Sequence, residues 1–291
     1  MAWFKKLPER GAKPARQADA IAPVPLELPF DEGLFGELFA RLQQHMEIDV
    51  GAEAYLQALR AKHERFVQLL GREETPSLTL EEIEVLLNHV FTARRRIFPV
   101  LEGWGIQTVN RAIHQLLHGG DDLAIRLQAF AAQVEIPDGV DREARRQAQK
   151  LRRAMHDFGA ELLHFSRPEV YPLMARWVWD PATVSGALRE FIRGQEQMVD
   201  IPLGAAPGMF QGVRLWLANL LQARGLYRDI EWWVDLVMAE AYSTYFRAMA
   251  EGMLSADFGR SGGPEEHLKK FLGIDLASPD GRSRVKKAVL H

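Results

Sequence analysis

Glu161 and His164 stand three residues apart in the stretch ELLHFSRPEVYPLMARWVWD, residues 161–180. Glu-x-x-His on a helix is half of the carboxylate-bridged di-iron motif, which needs two such pairs and two further Glu pointing inward from four helices. This chain holds one pair. On the helix expected from Asp141 to Phe165, the residues Ala144, Ala148, Leu151, Met155, Phe158, Leu162 and Phe165 recur four and three apart, which defines a narrow apolar seam. A rotation of about 100° per residue puts His164 nearly opposite that seam and Glu161 at its edge, on a face shared with Asp157, Arg153 and Lys150. The pattern predicts a solvated stripe with Arg153 and Asp157 paired four apart, ending in a His at the helix C-terminus. Glu161 and His164 are therefore disfavoured as metal ligands, and no metal or other cofactor is implied.

The remaining titratable groups offer no stronger constellation. His114 and His118 are four apart but lack the intervening Glu of a zinc protease helix, and Gly119 stops their helix. Asp121 and Asp122 suit a helix N-cap. Asp229 and Glu231 suit the start of a later helix, and Glu240 falls on its polar side with Arg247 and Glu251. No Gly-x-Gly-x-x-Gly or Gly-Lys-Ser/Thr loop occurs. Two basic runs, Arg94 to Arg96 and the stripe Arg142, Arg146, Lys150 and Arg153, could hold an acidic protein surface or a phosphate. They carry no interleaved aromatic rings, which argues against nucleic acid.

The large aromatic residues cluster in the second half. Trp232 lies on the side of its helix away from Val234, Val237 and Ala241, and Trp177 and Trp179 cannot both face one way on a single helix. At least one or two of these rings are expected at a surface. Tyr171, Arg176, Trp177, Trp179, Asp180 and Trp232 are thus the candidate partner- or ligand-binding residues, with the composition of an interface hot spot or a pocket rim.

The elements that must position these residues are helices. Asp31 caps a stripe of Leu34, Phe35, Leu38, Phe39, Leu42 and Met46, and Gly71 closes a second helix carrying Tyr55, Leu59, Phe66 and Leu70. Thr79 and Glu82 have capping-box spacing for a third, expected to end at Pro99. Ser166 with Glu169 repeats that spacing, and Asp180 is placed to cap the segment 182–194. Residues 195–208 read as a loop. Further stripes over 109–117, 210–221 and 230–249 complete an all-α, irregular multi-helix bundle of about nine or ten helices, with no alternating strand pattern. Pro23, Pro25 and Pro29 mark residues 1–29 as a flexible arm. Residues 30–258 form the helical core, with a subdivision near 137–140 allowed, and 259–291 a linker, short helix and basic tail.

Across 291 residues, 36 basic and 39 acidic side chains give a formal net charge of -3, so bulk charge provides no attraction to nucleic acid or an anionic membrane. With no cysteine, disulfides, thiolate metal sites and a Cys nucleophile are excluded. No apolar run is long enough to span a bilayer and the N-terminus lacks a secretory apolar centre, which points to the cytoplasm. The function expected is binding of another protein, as an adaptor or assembly factor without its own catalysis. A small-molecule binder or enzyme with an aromatic-lined pocket is the alternative, and a metal-dependent bundle the third reading. A homo-oligomer is compatible with all three.

Overall fold

The computed structural model describes residues 21–71, 77–252, 263–275 and 283–287. Among them are ten α-helices and no β-strand: α1 (Glu32–Asp49), α2 (Ala52–Leu70), α3 (Leu80–Asn88), α4 (Phe98–Trp104), α5 (Ile106–His118), α6 (Leu123–Ala132), α7 (Arg142–Ser166), α8 (Pro207–Gln222), α9 (Ile230–Gly252) and α10 (Pro264–Phe271). Short 3-10 turns at Ala187–Phe191 and Gln195–Gln197 lie between α7 and α8. No helix among the described residues is long and apolar enough to cross a membrane.

The helix starts follow local chemistry. Asp31 accepts from the backbone N–H groups of Gly33 and Leu34 at the head of α1, and Asp141 accepts from Ala144 at the head of α7. Thr79 and Glu82 form the expected reciprocal capping box of α3. That helix ends at Asn88 rather than Pro99, which instead sits in the first turn of α4, where a missing N–H leaves no hydrogen bond unmade. Ser166 does not open a helix either. Its hydroxyl donates to the Leu163 carbonyl at 2.8 Å and so helps to close α7. Asp180 accepts from Ala182 N–H at 3.0 Å in a turn, and the segment it was expected to cap contributes only the 3-10 turn Ala187–Phe191.

Helices α7 and α9 are central. α7 packs on α2, α5 and α6, while α9 packs on α1, α8, α10 and the 3-10 turn Ala187–Phe191. The contact of α6 with α7 is close because Gly159 has no side chain; a Cβ there would stand 2.7 Å from a ring carbon of Phe130. Residues 21–29, part of the expected flexible arm, form no helix or strand and are held to α8 by the Val24 N–H, which donates to the Gly208 carbonyl at 2.9 Å. Residues 1–20 of that arm, and 253–262, 276–282 and 288–291 of the expected core end, linker and tail, lie outside the described residues. The described part of the C-terminal region is packed inward, with Leu268, Phe271 and Leu272 buried.

Candidate functional site

The stripe expected to be solvated is the first thing the tertiary structure overturns. The C-terminal half of α7 is enclosed on every side, and Asp157, Glu161 and His164 are all at most 1% exposed. Its seam residues Met155, Phe158, Leu162 and Phe165 are buried too, and from Ala154 to Phe165 only His156 keeps partial access to water. Charged groups there must find partners within the protein. Asp157 does not pair with Arg153. It accepts from the Arg176 backbone N–H at 2.9 Å and from Arg176 Nη2 at 2.7 Å. Burial opposes charge on Asp157, but the His156 ring 3.8 Å away and the Arg176 guanidinium outweigh it and hold its carboxyl below the ordinary range.

One turn further on, Lys62 of α2 donates to Glu161 Oε2 at 2.6 Å, to the Leu272 carbonyl at 2.8 Å and to the His89 carbonyl at 3.2 Å. Its ammonium also lies 3.6 Å from the centre of the Phe165 ring. All three donor positions of this lysine are therefore committed. Burial pulls Lys62 below the usual lysine range and pushes Glu161 above the usual carboxylate range, while their mutual contact opposes both shifts.

His164 bridges two further segments. Its Nδ1 donates to the Tyr171 carbonyl at 2.8 Å, because a carbonyl only accepts, and its Nε2 meets Asp235 Oδ2 of α9 at 2.8 Å. With Nδ1 carrying a hydrogen, a single proton between Nε2 and Oδ2 completes the second bond. Arg214, Glu231, Leu173, Val178 and Val213 join His164 and Asp235 around a cavity of about 10 Å³, which is room for about one water molecule. Arg214 itself donates to the Pro168 and Glu169 carbonyls. Among the described residues, no group of three or more His, Asp or Glu side chains is arranged to hold a metal ion.

The aromatic corner is also interior. Tyr171 and Trp179 are 1% exposed, Trp177 and Trp232 3%, and Asp180 7%, while Arg176 is half-buried over Asp157. Trp179 donates through Nε1 to the Leu203 carbonyl at 2.9 Å. Trp177 packs against Tyr242 and Phe271, and Trp232 stacks parallel on Phe165 with ring centres 5.8 Å apart. The expectation that one or two of Trp177, Trp179 and Trp232 reach the surface is thus corrected: 171–180 runs in turns, so its rings need not share one helical face, and α9 is enclosed almost all round. Among the described aromatic residues of that half, Tyr227 is the exposed one, at 74%.

The chain matches no protein-family model, no curated protein and no solved structure.

Three more sequence readings change. Glu240 is not on a solvated side of α9; it is fully buried, with Oε2 accepting from His45 Nδ1 of α1 at 2.9 Å. Of the run Arg94 to Arg96, Arg94 turns inward to a two-pronged pair with Asp275 at 2.7 and 2.9 Å, and Arg95 and Arg96 stay exposed. The first half of α7 behaves unlike its second. Each residue from Arg142 to Gln147 is exposed, and six consecutive positions sweep more than a full turn, so this length of helix meets solvent on all faces.

One signal of the buried network was present in the sequence. Lys62 occupies a position between Leu59 and Phe66 on the apolar stripe of α2, where an uncompensated ammonium would be costly. A lysine at a core position demands a buried acceptor, and Glu161 is that acceptor.

Proposed function

We propose that this chain binds another protein, as an adaptor or assembly factor without catalysis of its own. The observation that carries this reading is the contrast along α7. Its buried half spends Asp157, Glu161 and His164 on internal partners beside a cavity of about 10 Å³, and its exposed half stands clear of the core over Arg142–Gln147. Paired buried charges fix helix positions rather than act on a substrate, so function falls to the surface. The reading places the protein in the cytoplasm, in keeping with a cysteine-free chain.

The test is affinity purification of the full chain under gentle conditions, with chemical crosslinking and mass spectrometry. A stoichiometric protein partner crosslinked to a defined face is expected. A chain that purifies alone under several conditions and is stabilised by a metabolite would overturn the proposal.

A further inference from the structure

The exposed half of α7 has a pronounced charge asymmetry. Between Arg142 and Arg153 stand Arg142, Arg145, Arg146, Lys150, Arg152 and Arg153 against the single acid Glu143. At 100° per residue the six basic side chains fall within one continuous arc of about 160°, which begins at the edge of the strip formed by Ala144, Ala148 and Leu151. Gln147 and Glu143 occupy the opposite edge. Glu143 lies 3.7 Å from Arg146, and Arg152 donates through Nε to the Val134 carbonyl at 2.9 Å. Among the described residues, no carboxylate stands within ion-pairing distance of Arg142, Arg145, Lys150 or Arg153.

The strip is continuous with an interface the fold already uses. The same four-and-three spacing that buries Met155, Phe158, Leu162 and Phe165 extends outward through Leu151 and Ala148, which are half-buried, to Ala144, which is exposed. Such a strip accepts a second helix, with small alanines permitting close approach. The charge beside it selects which helix. A second copy docking through this same face would set like charges against each other, and the chain's own termini have the wrong sign: residues 1–20 carry Lys5, Lys6, Arg10, Lys13 and Arg16 against Glu9 and Asp19, and 276–291 carry Arg282, Arg284, Lys286 and Lys287 against Asp280. A phosphate backbone would satisfy the arginines but make no use of the apolar strip.

We infer that the Arg142–Arg153 half of α7 docks an acidic amphipathic helix of another protein, its apolar side on Ala144 and Ala148, next to Leu151 where it packs on the protein's own core, and its carboxylates on Arg145 and Arg142. This rests on the protein-binding reading above and specifies its surface and the chemistry of its partner. Encounter is then steered by charge and weakens as salt rises.

The experiment uses the full chain and fluorescence anisotropy with three probes: a helical peptide with Leu at its seam positions and Glu along one flank, the same peptide with Gln for Glu, and a DNA duplex. The Glu peptide is expected to bind at least about tenfold tighter than the Gln peptide. Arg142→Glu with Arg145→Glu should weaken it by about tenfold or more, and Ala148→Gln should weaken it without changing charge. Arg95→Glu with Arg96→Glu, the same charge change at another exposed site, should leave it unchanged, and circular dichroism verifies that each variant keeps its helix content. Equal binding of the Glu and Gln peptides, or equal loss in the Arg95/Arg96 variant, overturns the inference. So does tight DNA binding that the Arg142/Arg145 variant abolishes while peptide binding persists. Crosslinks from a co-purified partner that map away from α7 end this inference and leave the protein-binding reading intact; a chain that purifies alone and is stabilised by a metabolite ends both.

Discussion

Lys62 Nζ and the Glu161 carboxylate meet 2.6 Å apart, where neither side chain is more than 2% exposed. The pair joins α2 to α7, and the same ammonium reaches the carbonyls of His89 and Leu272, so one side chain ties four segments together. A buried pair of this kind is costly to break and far less costly to replace. Lys62→Met alone is expected to cost about 3–5 kcal/mol by urea denaturation, since it strands a buried carboxylate. Glu161→Leu alone is expected to cost a similar amount. The double variant should recover more than half of the summed loss, the remainder reflecting about 1–3 kcal/mol for carbonyls left without their donor. Additive losses would show that the two residues act independently.

His89 supplies a pH dependence. Burial first, and the nearby Lys62 charge second, push its ring down to about 3. Its Nδ1 donates to the Gly273 carbonyl at 3.0 Å, which favours the charged ring but is outweighed by burial and the Lys62 charge, so the neutral ring is the folded form. An unfolded His binds a proton below about pH 6.5 while the folded one does not, so the unfolded state holds more protons between that pH and about 3. Stability is full above pH 6.5 and falls as the pH drops through that window. In His89→Gln the thermal midpoint should decline less steeply between about pH 6.5 and 5.5, above the range where most carboxylates titrate. Parallel curves for the two proteins would refute the assignment.

At Gly159 helix propensity and packing disagree. In an exposed helix Gly→Ala gains about 1 kcal/mol. Here the added methyl would stand 2.7 Å from Phe130 and 2.9 Å from Leu127. Gly159→Ala is expected to destabilise by about 1–3 kcal/mol, and Gly159→Ala combined with Phe130→Leu to lose less than the sum of the two.

The pair His164 and Asp235 should behave as a structural unit. His164→Gln and Asp235→Asn are each expected to cost about 1–3 kcal/mol, with the double variant well short of additive because the second change removes a bond already lost. Full additivity in denaturation midpoints would count against a shared proton between them.

Trp179 is an anchor of the interior. Trp179→Ala should cost about 3–5 kcal/mol through the cavity it leaves, and Trp179→Phe about 1–3 kcal/mol through the Leu203 carbonyl it orphans. A surface contact residue would lose partner binding with little change in the unfolding midpoint, and that outcome would return the aromatic corner to its expected role as an interface.

Most helix starts and stops are set by local chemistry. The period of 3.6, the caps at Asp31 and Thr79, and the stops at Gly71 and Gly119 are interactions among residues a few positions apart, so they can be read along the chain. Pro99 and Ser166 each suit either end of a helix, and which end they occupy depends on neighbours beyond the local turn. Only the tertiary structure decided the fate of the polar line on α7. Lys150 and Arg153 lie on the same face as Asp157 and His164, yet α2, α9 and the turns after α7 cover only the second part. Charge alone reads as solvent because an unpaired charge belongs there, and the partners that reverse this, Lys62, Arg176 and Asp235, lie 99, 19 and 71 residues away. The same covering buried the rings of Tyr171, Trp177, Trp179 and Trp232 and left Arg142–Gln147 in solvent, because where one helix outruns its neighbours is set by packing between elements and not by the period within one.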